Sequence, residues 1–165
     1  MENRFIPLVV EMEDRGFKIH RDRLVGIMED YSAELTEAGR EIGEELGQQV
    51  NLNSPKQLKE ILATKGLTLP NTSVQTLTES GHHLADGILN YRSAKKRMEQ
   101  AETILKAIET DGRIHARFEP TGTNTGRFSS KKPNLQNIGR GKLRTCFVPG
   151  YGNRLVFADY SQVEL

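Results

Sequence analysis

The sequence predicts an α+β fold that is mostly helical, with a long antiparallel helix pair followed by the first strands of an incomplete sheet. Two observations predict this class. Apolar residues recur at helical spacing in two long segments, and strand-like alternation replaces that spacing after the turn pair Asp111-Gly112. With 165 residues, of which 36% are hydrophobic, the chain can bury one modest core or two small ones.

Two apolar stripes predict the helix pair. The first has residues alternately four and three positions apart, which places them on one helical face: Leu24, Met28, Tyr31, Leu35, Ala38 and Ile42. The second stripe contains Leu84, Ile88, Tyr91, Met98, Ala101, Leu105 and Ile108. Two such helices can bury their stripes against each other as an antiparallel pair, so we expect an elongated helical arm.

A shorter helix is predicted between the two long ones, in NSPKQLKEILATKG. Ser54 and Gln57 form a capping box, Pro55 occupies the first helical position, and Gly66 marks the C-terminal end. The following residues, 67–83, mix Pro, Asn, Thr, Ser and Gly without a period. They predict a loop with one short turn near Thr76 to Ser80.

The pattern changes after Gly112, where we place a domain boundary. RIHARFEP alternates apolar and polar residues and predicts a strand. The next stretch, PTGTNTGRFSSKKPNLQNIGRGK, has few large apolar residues, so we expect a ligand to hold it. Near the end of the chain, Leu155, Val156 and Phe157 predict a short buried strand that delivers Asp159 to its edge, and SQVEL predicts the start of a helix.

Charge is distributed unevenly along the chain, although the formal net charge is only +1. Residues 1–60 hold 13 acidic and 8 basic residues, whereas residues 113–154, the basic segment, hold nine basic residues against the single acid Glu119. A segment that is eight charges positive suits a surface that follows a phosphate backbone. The alternative is a solvated basic face without a ligand.

Several classes of protein are disfavoured by the composition. Cys146 is the only cysteine, so no intrachain disulfide can form, and we expect it to be a buried structural thiol. The first residues lack the continuous apolar run of a signal peptide, and no run approaches transmembrane length. The adjacent pair His82 and His83 is a weak metal candidate, because no Cys or acid lies at ligand spacing.

Two groups of residues carry the candidate chemistry. Arg127 has a forked donor, and Asn134, Gln136 and Asn137 supply amides that can reach minor-groove acceptors or phosphates. Asp159, at the end of a strand, can present a hard oxygen to Mg²⁺ beside substrate phosphates. The alternatives are an ordinary polar loop for the amides and a turn or cap residue for Asp159.

Four motifs then indicate a family, because they stand in its order and spacing. They are TGRFSS (125–130), PNLQN (133–137), the Arg and Phe of RTCF (144–147), and ADYSQVEL (158–165). Upstream, MEDRGFKI (12–19) and NLNSPKQLKEIL (51–62) also match it. The chain resembles the family A DNA polymerases over nearly its whole length.

The resemblance implies three regions and a role for each. Residues 1–20 would lead in from an absent exonuclease domain, residues 21–112 would form the helical thumb that grips the minor groove, and residues 113–165 would begin the palm. It also implies contacts to primer-template DNA near the primer terminus, by Arg127, Ser129, Lys131, Asn134, Gln136, Asn137 and Arg144. The thumb loop, LPNTSVQTLTES, departs from the lysine-rich tip of many relatives.

The resemblance also implies a catalytic site at the end of the chain. Asp159 would be one of two metal-binding aspartates, Tyr160 would offer its backbone carbonyl to the metal, and Glu164 would disfavour a ribose 2′-hydroxyl. Tyr160, Ser161, Gln162 and Glu164 would contact the incoming deoxynucleoside triphosphate. The reaction would be in-line nucleotidyl transfer with two Mg²⁺ ions.

Two functional hypotheses follow from the resemblance. In the first, the chain is a fragment of a DNA-directed DNA polymerase; in the second, it acts alone as a non-catalytic duplex-binding module. Because the nucleotide-binding fingers and the second aspartate would lie beyond Leu165, we expect the isolated chain to be inactive. The expected location is the cytoplasm, in a bacterial nucleoid or a virus-infected cell, without membrane contact. An open strand edge at residues 155–158 would offer a route to a non-native dimer.

Overall fold

The computed structural model describes residues 4–48, 50–120, 122–123 and 126–158. Its helices are α1 (Ile6–Arg15), α2 (Arg21–Leu46), α3 (Pro55–Thr64), α4 (Val74–Ser80) and α5 (His83–Lys106). Its strands are β1 (Phe17–Lys18), β2 (Arg113–Ile114), β3 (Arg117–Glu119) and β4 (Ser129–Lys131). The chain divides into two compact units: a helical unit, Gly26–Glu102, and a strand-containing unit, Met1–Val25 with Thr103–Leu165. This architecture confirms the predicted α+β class.

The two long helices of the helical unit run antiparallel, as the stripes predict. The Nη2 atom of Arg97 on α5 lies 2.7 Å from the Oε2 atom of Glu34, at the middle of α2. Further along α2, Ile42 meets α5 at Gly87, where an added Cβ would lie 3.0 Å from the Ile42 Cδ1 atom. Contacts therefore move towards the start of α5 as they advance along α2, which defines an antiparallel pair.

The core of the helical unit is built from the predicted apolar faces together with side chains of α3 and α4. Its buried residues are Ile42, Leu46, Leu52, Leu58, Ile61, Leu62, Leu77, Leu84, Ala85 and Ile88. Leu58, Leu62, Leu77 and Ile88 are fully excluded from solvent. Burial of such side chains is the main term that stabilises a helical unit of this size.

Helix α3 begins and ends where the sequence predicts. Ser54 precedes its first residue, Pro55, and the Ser54 Oγ atom accepts a hydrogen bond from the backbone N–H of Gln57 at 3.4 Å. The chain leaves the helix through Gly66, whose φ of +85° lies in the left-handed region that favours glycine. Capping chemistry alone therefore located both ends.

The prediction of a loop with one short turn over residues 67–83 is wrong in part, because Val74–Ser80 forms a helix of 7 residues, α4. Ser73 caps it, with its Oγ atom accepting from the Thr76 N–H at 3.2 Å. Leu77 is fully buried in the core of the helical unit. Burial of this one side chain and a good cap outweigh a sequence that has no helical period.

A partly buried arginine on α5 also holds the loops of the helical unit. The Arg92 Nη1 atom donates to the carbonyl oxygen of Thr72 at 2.5 Å, and its Nη2 atom donates to the carbonyl oxygen of Leu52 at 3.4 Å. Burial lowers the pKa of the Arg92 guanidinium below its usual value. Nothing in the sequence pattern indicates this contact, which links three separate segments.

In the strand-containing unit, the predicted strand RIHARFEP is broken into two. Arg113–Ile114 (β2) pairs antiparallel with β1, whereas Arg117–Glu119 (β3) pairs antiparallel with β4. The chain changes partner between the two strands, at His115 and Ala116, so a single alternating pattern serves two separate two-stranded sheets. Alternation indicates which side chains can be buried, but it does not indicate which strand will be the neighbour.

The predicted buried strand at Leu155, Val156 and Phe157 is wrong for this structure. The segment has no strand conformation, and its three residues are 45%, 86% and 91% exposed. A strand is held by hydrogen bonds to a neighbour, and the strands of the described residues pair as β1 with β2 and β3 with β4. The predicted open edge at this place is therefore not formed. Across the described ranges, no helix combines the length and the apolar character that crossing a membrane requires.

Candidate nucleic-acid interface

The candidate interface, residues 127–144, begins on the β3–β4 hairpin. Residues are paired in register, with Arg117 opposite Lys131 and Glu119 opposite Ser129. Ser130 is buried, and its Oγ atom donates to the carbonyl oxygen of Pro133 at 3.2 Å and accepts from the Leu135 N–H at 3.3 Å. One hydroxyl thus fixes the path of the chain as it leaves β4.

A 3-10 turn at Leu135–Asn137 brings the predicted amides back towards the hairpin. Asn134 caps the turn, since its Oδ1 atom accepts from the Gln136 N–H at 3.1 Å. The Gln136 Nε2 atom donates to the carbonyl oxygen of Phe128 at 2.9 Å. Gln136 is therefore held next to the residue that follows Arg127. The structure brings together Asn134, Gln136, Asn137 and the start of β4, as a binding surface requires.

The charged members of the candidate interface lie at its surface. Arg127 and Lys131 are both exposed, and the Lys131 Nζ atom lies 2.6 Å from the Glu119 Oε2 atom in a solvent-exposed ion pair. Arg144, in a second 3-10 helix at Lys142–Cys146, donates from Nη2 to the carbonyl oxygen of Ile138 at 3.1 Å. Exposed ion pairs contribute little stability, so Lys131 can exchange its partner for a phosphate at small cost.

Ser129 lies differently from the other predicted contact residues. Its Oγ atom is buried and has no hydrogen-bond partner among the described residues. The backbone of Gly122 covers it, because a Cβ added there would lie 1.8 Å from that oxygen. In this structure Gly122 therefore shields the Ser129 hydroxyl from solvent.

The predicted catalytic residues are not part of the described structure. Asp159, Tyr160, Ser161, Gln162 and Glu164 all lie outside the described residues. Within the described ranges, no three His, Cys, Asp or Glu side chains are grouped so that they could hold a metal ion. Any test of Mg²⁺ binding therefore has to address Asp159 itself.

A polar joint that the sequence reasoning missed holds the start of β3. The His115 Nδ1 atom lies 2.8 Å from the carbonyl oxygen of Glu13, and its Nε2 atom lies 3.1 Å from the Asp111 Oδ2 atom. The Glu13 Oε1 atom also accepts from the Phe118 N–H at 2.6 Å. The signal was present, because His115 follows Asp111 by four residues across a turn. The partner on α1 could not be inferred from spacing.

Both ring nitrogens of His115 face acceptors, so the joint favours the charged imidazolium. Two hydrogen bonds raise the pKa of His115 above its usual 6.5. The one to the Glu13 carbonyl has the larger effect, and the one to the Asp111 carboxylate adds to it. The hydrogen bond with His115 in turn lowers the pKa of the Asp111 carboxyl. The imidazolium therefore stabilises the attachment of α1 to β2 and β3 at low pH.

We expect His115→Ala to destabilise the strand-containing unit most at low pH. A raised folded-state pKa means that the stabilisation is fully present below the unfolded-state value and is lost as the pH rises through the folded-state pKa. Urea unfolding followed by circular dichroism, from about pH 5.5 to about pH 8.5, checks this for the variant and the parent chain.

Two further variants make the pH test specific to the joint at His115. Asp111→Asn removes one acceptor and should bring the His115 ring titration, followed by NMR, closer to its ordinary position. His83→Asn changes a histidine of the helical unit and serves as the comparison for removal of a histidine outside the joint. A constant difference between His115→Ala and the parent across the pH range would contradict the role assigned to the imidazolium.

Cys146 occupies the interior of the same unit. Its side chain is fully buried, as the sequence predicts, and burial raises the pKa of its thiol. Its carbonyl oxygen accepts from the His20 N–H at 2.8 Å. Cys146 therefore packs as a small apolar residue that links the second 3-10 helix to the segment after β1.

Comparison with solved structures first defines the class of domain. The chain is similar to the "POL domain of Pol1 from M. smegmatis complex with DNA primer-template and dNTP", with a TM-score of 0.83 and 30% sequence identity. That match covers 92% of this chain and 30% of the other. The fold is thus that of part of a polymerase domain.

The family follows from the sequence itself. The model of DNA polymerase family A matches residues 21–165, and the chain belongs to that family. It is 39% identical to DNA polymerase I of Caldicellulosiruptor bescii over 100% of its own length and 21% of the relative's. It is 41% identical to DNA polymerase I of Bacillus subtilis over 94% of its own length and 20% of the relative's. The chain therefore spans about a fifth of the length of these relatives.

Proposed function

We propose that this chain is part of a DNA-directed DNA polymerase and that it binds the primer-template duplex. The observation that carries the proposal is the candidate interface, in which forked, amide and ammonium donors lie on one hairpin and the turns that follow it. The surrounding basic segment has nine basic residues and one acid. A surface of this kind neutralises phosphates and reads acceptors common to all base pairs.

We assign a proposed role to each region of the chain from the motifs that it contains. Residues 21–112 act as a thumb that grips the minor groove of the duplex, and residues 113–165 form the N-terminal part of the palm. Residues 1–20 lead into the thumb. The antiparallel α2 and α5 helices of the helical unit suit a thumb, since a packed pair presents one rigid face.

The chemistry of the proposed polymerase centres on the end of the chain. Asp159 supplies a carboxylate oxygen and Tyr160 a carbonyl oxygen, which are the hard ligands that Mg²⁺ prefers. When bound, Mg²⁺ supplies charge neutralisation for the transferred phosphoryl group. Glu164 excludes a ribose 2′-hydroxyl by its bulk, and Ser161 and Gln162 line the site of the deoxynucleoside triphosphate. The proposed place of action is the cytoplasm, at the bacterial nucleoid or in an infected cell.

We expect Arg127→Ala to weaken binding of this chain to a fluorescent primer-template duplex by about tenfold. The physical reason is the loss of an exposed forked donor at the hairpin end of the candidate interface. Fluorescence anisotropy across a salt series measures both the affinity and its salt dependence. Affinity should fall steeply with salt, because bound phosphates release their counterions.

Arg4→Ala is the matched control, because Arg4 is also exposed and belongs to the same unit but lies outside the basic segment. It should bind like the parent chain. Equal weakening by Arg4→Ala and Arg127→Ala would mean that only general charge attraction holds the duplex. That result would contradict the assignment of Arg127 to the interface. Circular dichroism of each sample separates a lost contact from a lost fold.

The isolated chain is expected to bind the duplex without extending the primer. The resemblance assigns the fingers and a second catalytic aspartate to positions beyond Leu165, and Asp159 alone cannot complete a two-metal site. A gel-based extension assay with Mg²⁺ and four deoxynucleoside triphosphates checks this, with a complete family A polymerase as the positive control. Template-directed extension that Asp159→Asn leaves intact would point to a contaminating enzyme. Extension abolished by that change would contradict the prediction.

A further inference from the structure

The strand-containing unit has a basic cavity that is separate from the candidate interface. It has a volume of about 560 Å³ and is walled by β1, by Arg113 of β2 and by the segment from Phe147 to Leu155. Its cationic lining residues are Arg15, Lys18, Arg113 and Arg154, and no described carboxylate lines it. None of these residues belongs to residues 127–144.

Arg113 is the fixed element of the cavity. Its Nη1 atom donates to the carbonyl oxygens of Arg15 at 3.0 Å and Gly16 at 3.4 Å. These bonds hold the planar guanidinium in one orientation, whereas no described residue accepts a hydrogen bond from its Nη2 atom. A guanidinium fixed on one side, with donors remaining on the other, is preorganised for an anion.

Gly150 shows where the remaining donors converge. A Cβ added to Gly150 would lie 3.3 Å from the Arg113 Nη2 atom and 3.3 Å from the Asn153 Nδ2 atom. Two side-chain donors thus approach the same point above a residue that has no side chain. Gly150 does not have a left-handed backbone conformation. The absence of its Cβ therefore matters because it leaves room beside the two donors, not because the backbone requires glycine.

The four cations do not contribute equally. Arg15 is paired with Glu11, whose Oε1 atom lies 2.6 Å from its Nη2 atom, so part of its charge is already compensated. Lys18 and Arg154 are exposed residues on the lining, and neither has an ion pair within the part of the chain that the structure describes. A dianionic ligand would therefore meet three largely uncompensated positive charges and one amide donor.

We propose that this cavity binds a phosphate group, held by Arg113 and Asn153 above Gly150 and neutralised by Lys18 and Arg154. A tetrahedral oxyanion accepts several hydrogen bonds at once, which matches two converging donors better than a single-acceptor ligand would. The phosphate can belong to a free phosphate ester or to a nucleic-acid backbone. The inference rests on residues outside the candidate interface, although Arg113 and Arg154 also belong to the basic segment.

The test is an NMR titration of the ¹⁵N-labelled chain with sodium phosphate. The titration is monitored through the amide signals of Gly150 and Asn153 and the Nε–H signal of Arg113. Sodium chloride at matched ionic strength is the reference. Saturable shifts with phosphate and none with chloride are expected. Gly150→Ala should weaken phosphate binding about fivefold, since its Cβ displaces both donors, and Arg154→Ala should weaken it about threefold.

Controls make each outcome decisive. Arg4→Ala should leave phosphate binding unchanged, and Gly150→Ala keeps every cation, so a loss there cannot be a loss of charge. Equal shifts with chloride, or undiminished binding by Gly150→Ala, would overturn the proposal. Addition of a primer-template duplex then identifies the source. Shifts at Gly150 that phosphate competes away indicate a backbone phosphate, and their absence indicates a free ester.

Discussion

Gly16→Ala is expected to destabilise the strand-containing unit by about 3 kcal/mol, through backbone strain and a close contact together. Gly16 has φ +56° and ψ −176°, a combination that is essentially restricted to glycine. An added Cβ would lie 2.8 Å from the carbonyl oxygen of Ile114 and 2.8 Å from the His115 Nδ1 atom. The first contact is with backbone of a paired strand, which cannot move aside as a side-chain end can.

Native-state hydrogen exchange measures this effect within the unit concerned, because it reports protection residue by residue. Amides of β1, β2 and the His115 joint should lose protection together. Gly112→Ala is the matched control. Gly112 also has a positive φ, +76°, but nothing lies within 4 Å of its Cβ position, so we expect a cost of about 1 kcal/mol. Equal costs for the two variants would show that the close approach at Gly16 is unimportant.

Ile88→Ala is expected to lower the free energy of unfolding of the helical unit by about 2–5 kcal/mol. Ile88 is fully buried on α5 within the core cluster. Truncation removes apolar burial and leaves a cavity against neighbours that helices α2 and α3 hold in place. The spread of the expected cost reflects how far those neighbours can relax.

Urea unfolding and hydrogen exchange of α5 amides measure the cost of Ile88→Ala. Val74→Ala serves as the control, because Val74 belongs to the same unit but is 64% exposed. That change should alter stability by less than about 0.5 kcal/mol. A small effect of Ile88→Ala would mean that the apolar stripes do not form one shared core and would count against the antiparallel pair.

The helices show how much of this fold could be predicted locally. The period of the stripes located α2 and α5, and capping residues located α3, because these signals act within a few residues of the chain. The sequence predicts only a short turn where helix α4 forms, since the main anchor of α4 is one buried side chain, Leu77. An anchor of that kind is visible only when the rest of the core is present.

The strands show where local reasoning failed. The alternating pattern of residues 113–120 predicts a strand but not its division between two partners, because strand pairing joins residues that are distant in sequence. The apolar run at Leu155 predicts a buried strand, yet it is exposed and unpaired in the described structure. Hydrophobicity indicates that a segment tends to be buried, but it does not indicate which strand will pair with that segment.

The sequence by itself determined the family and the helical stripes and predicted the residues of the candidate interface, because motifs and periodicity are properties of nearby positions. Only the tertiary structure decided how those residues are held. It joined Gln136 to Phe128, covered the Ser129 hydroxyl with Gly122, and placed His115 between α1 and the turn at Asp111. It also set Arg113 and Asn153 around Gly150. Hydrogen bonds and close contacts between distant segments depend on the folded path of the backbone, which no local pattern encodes.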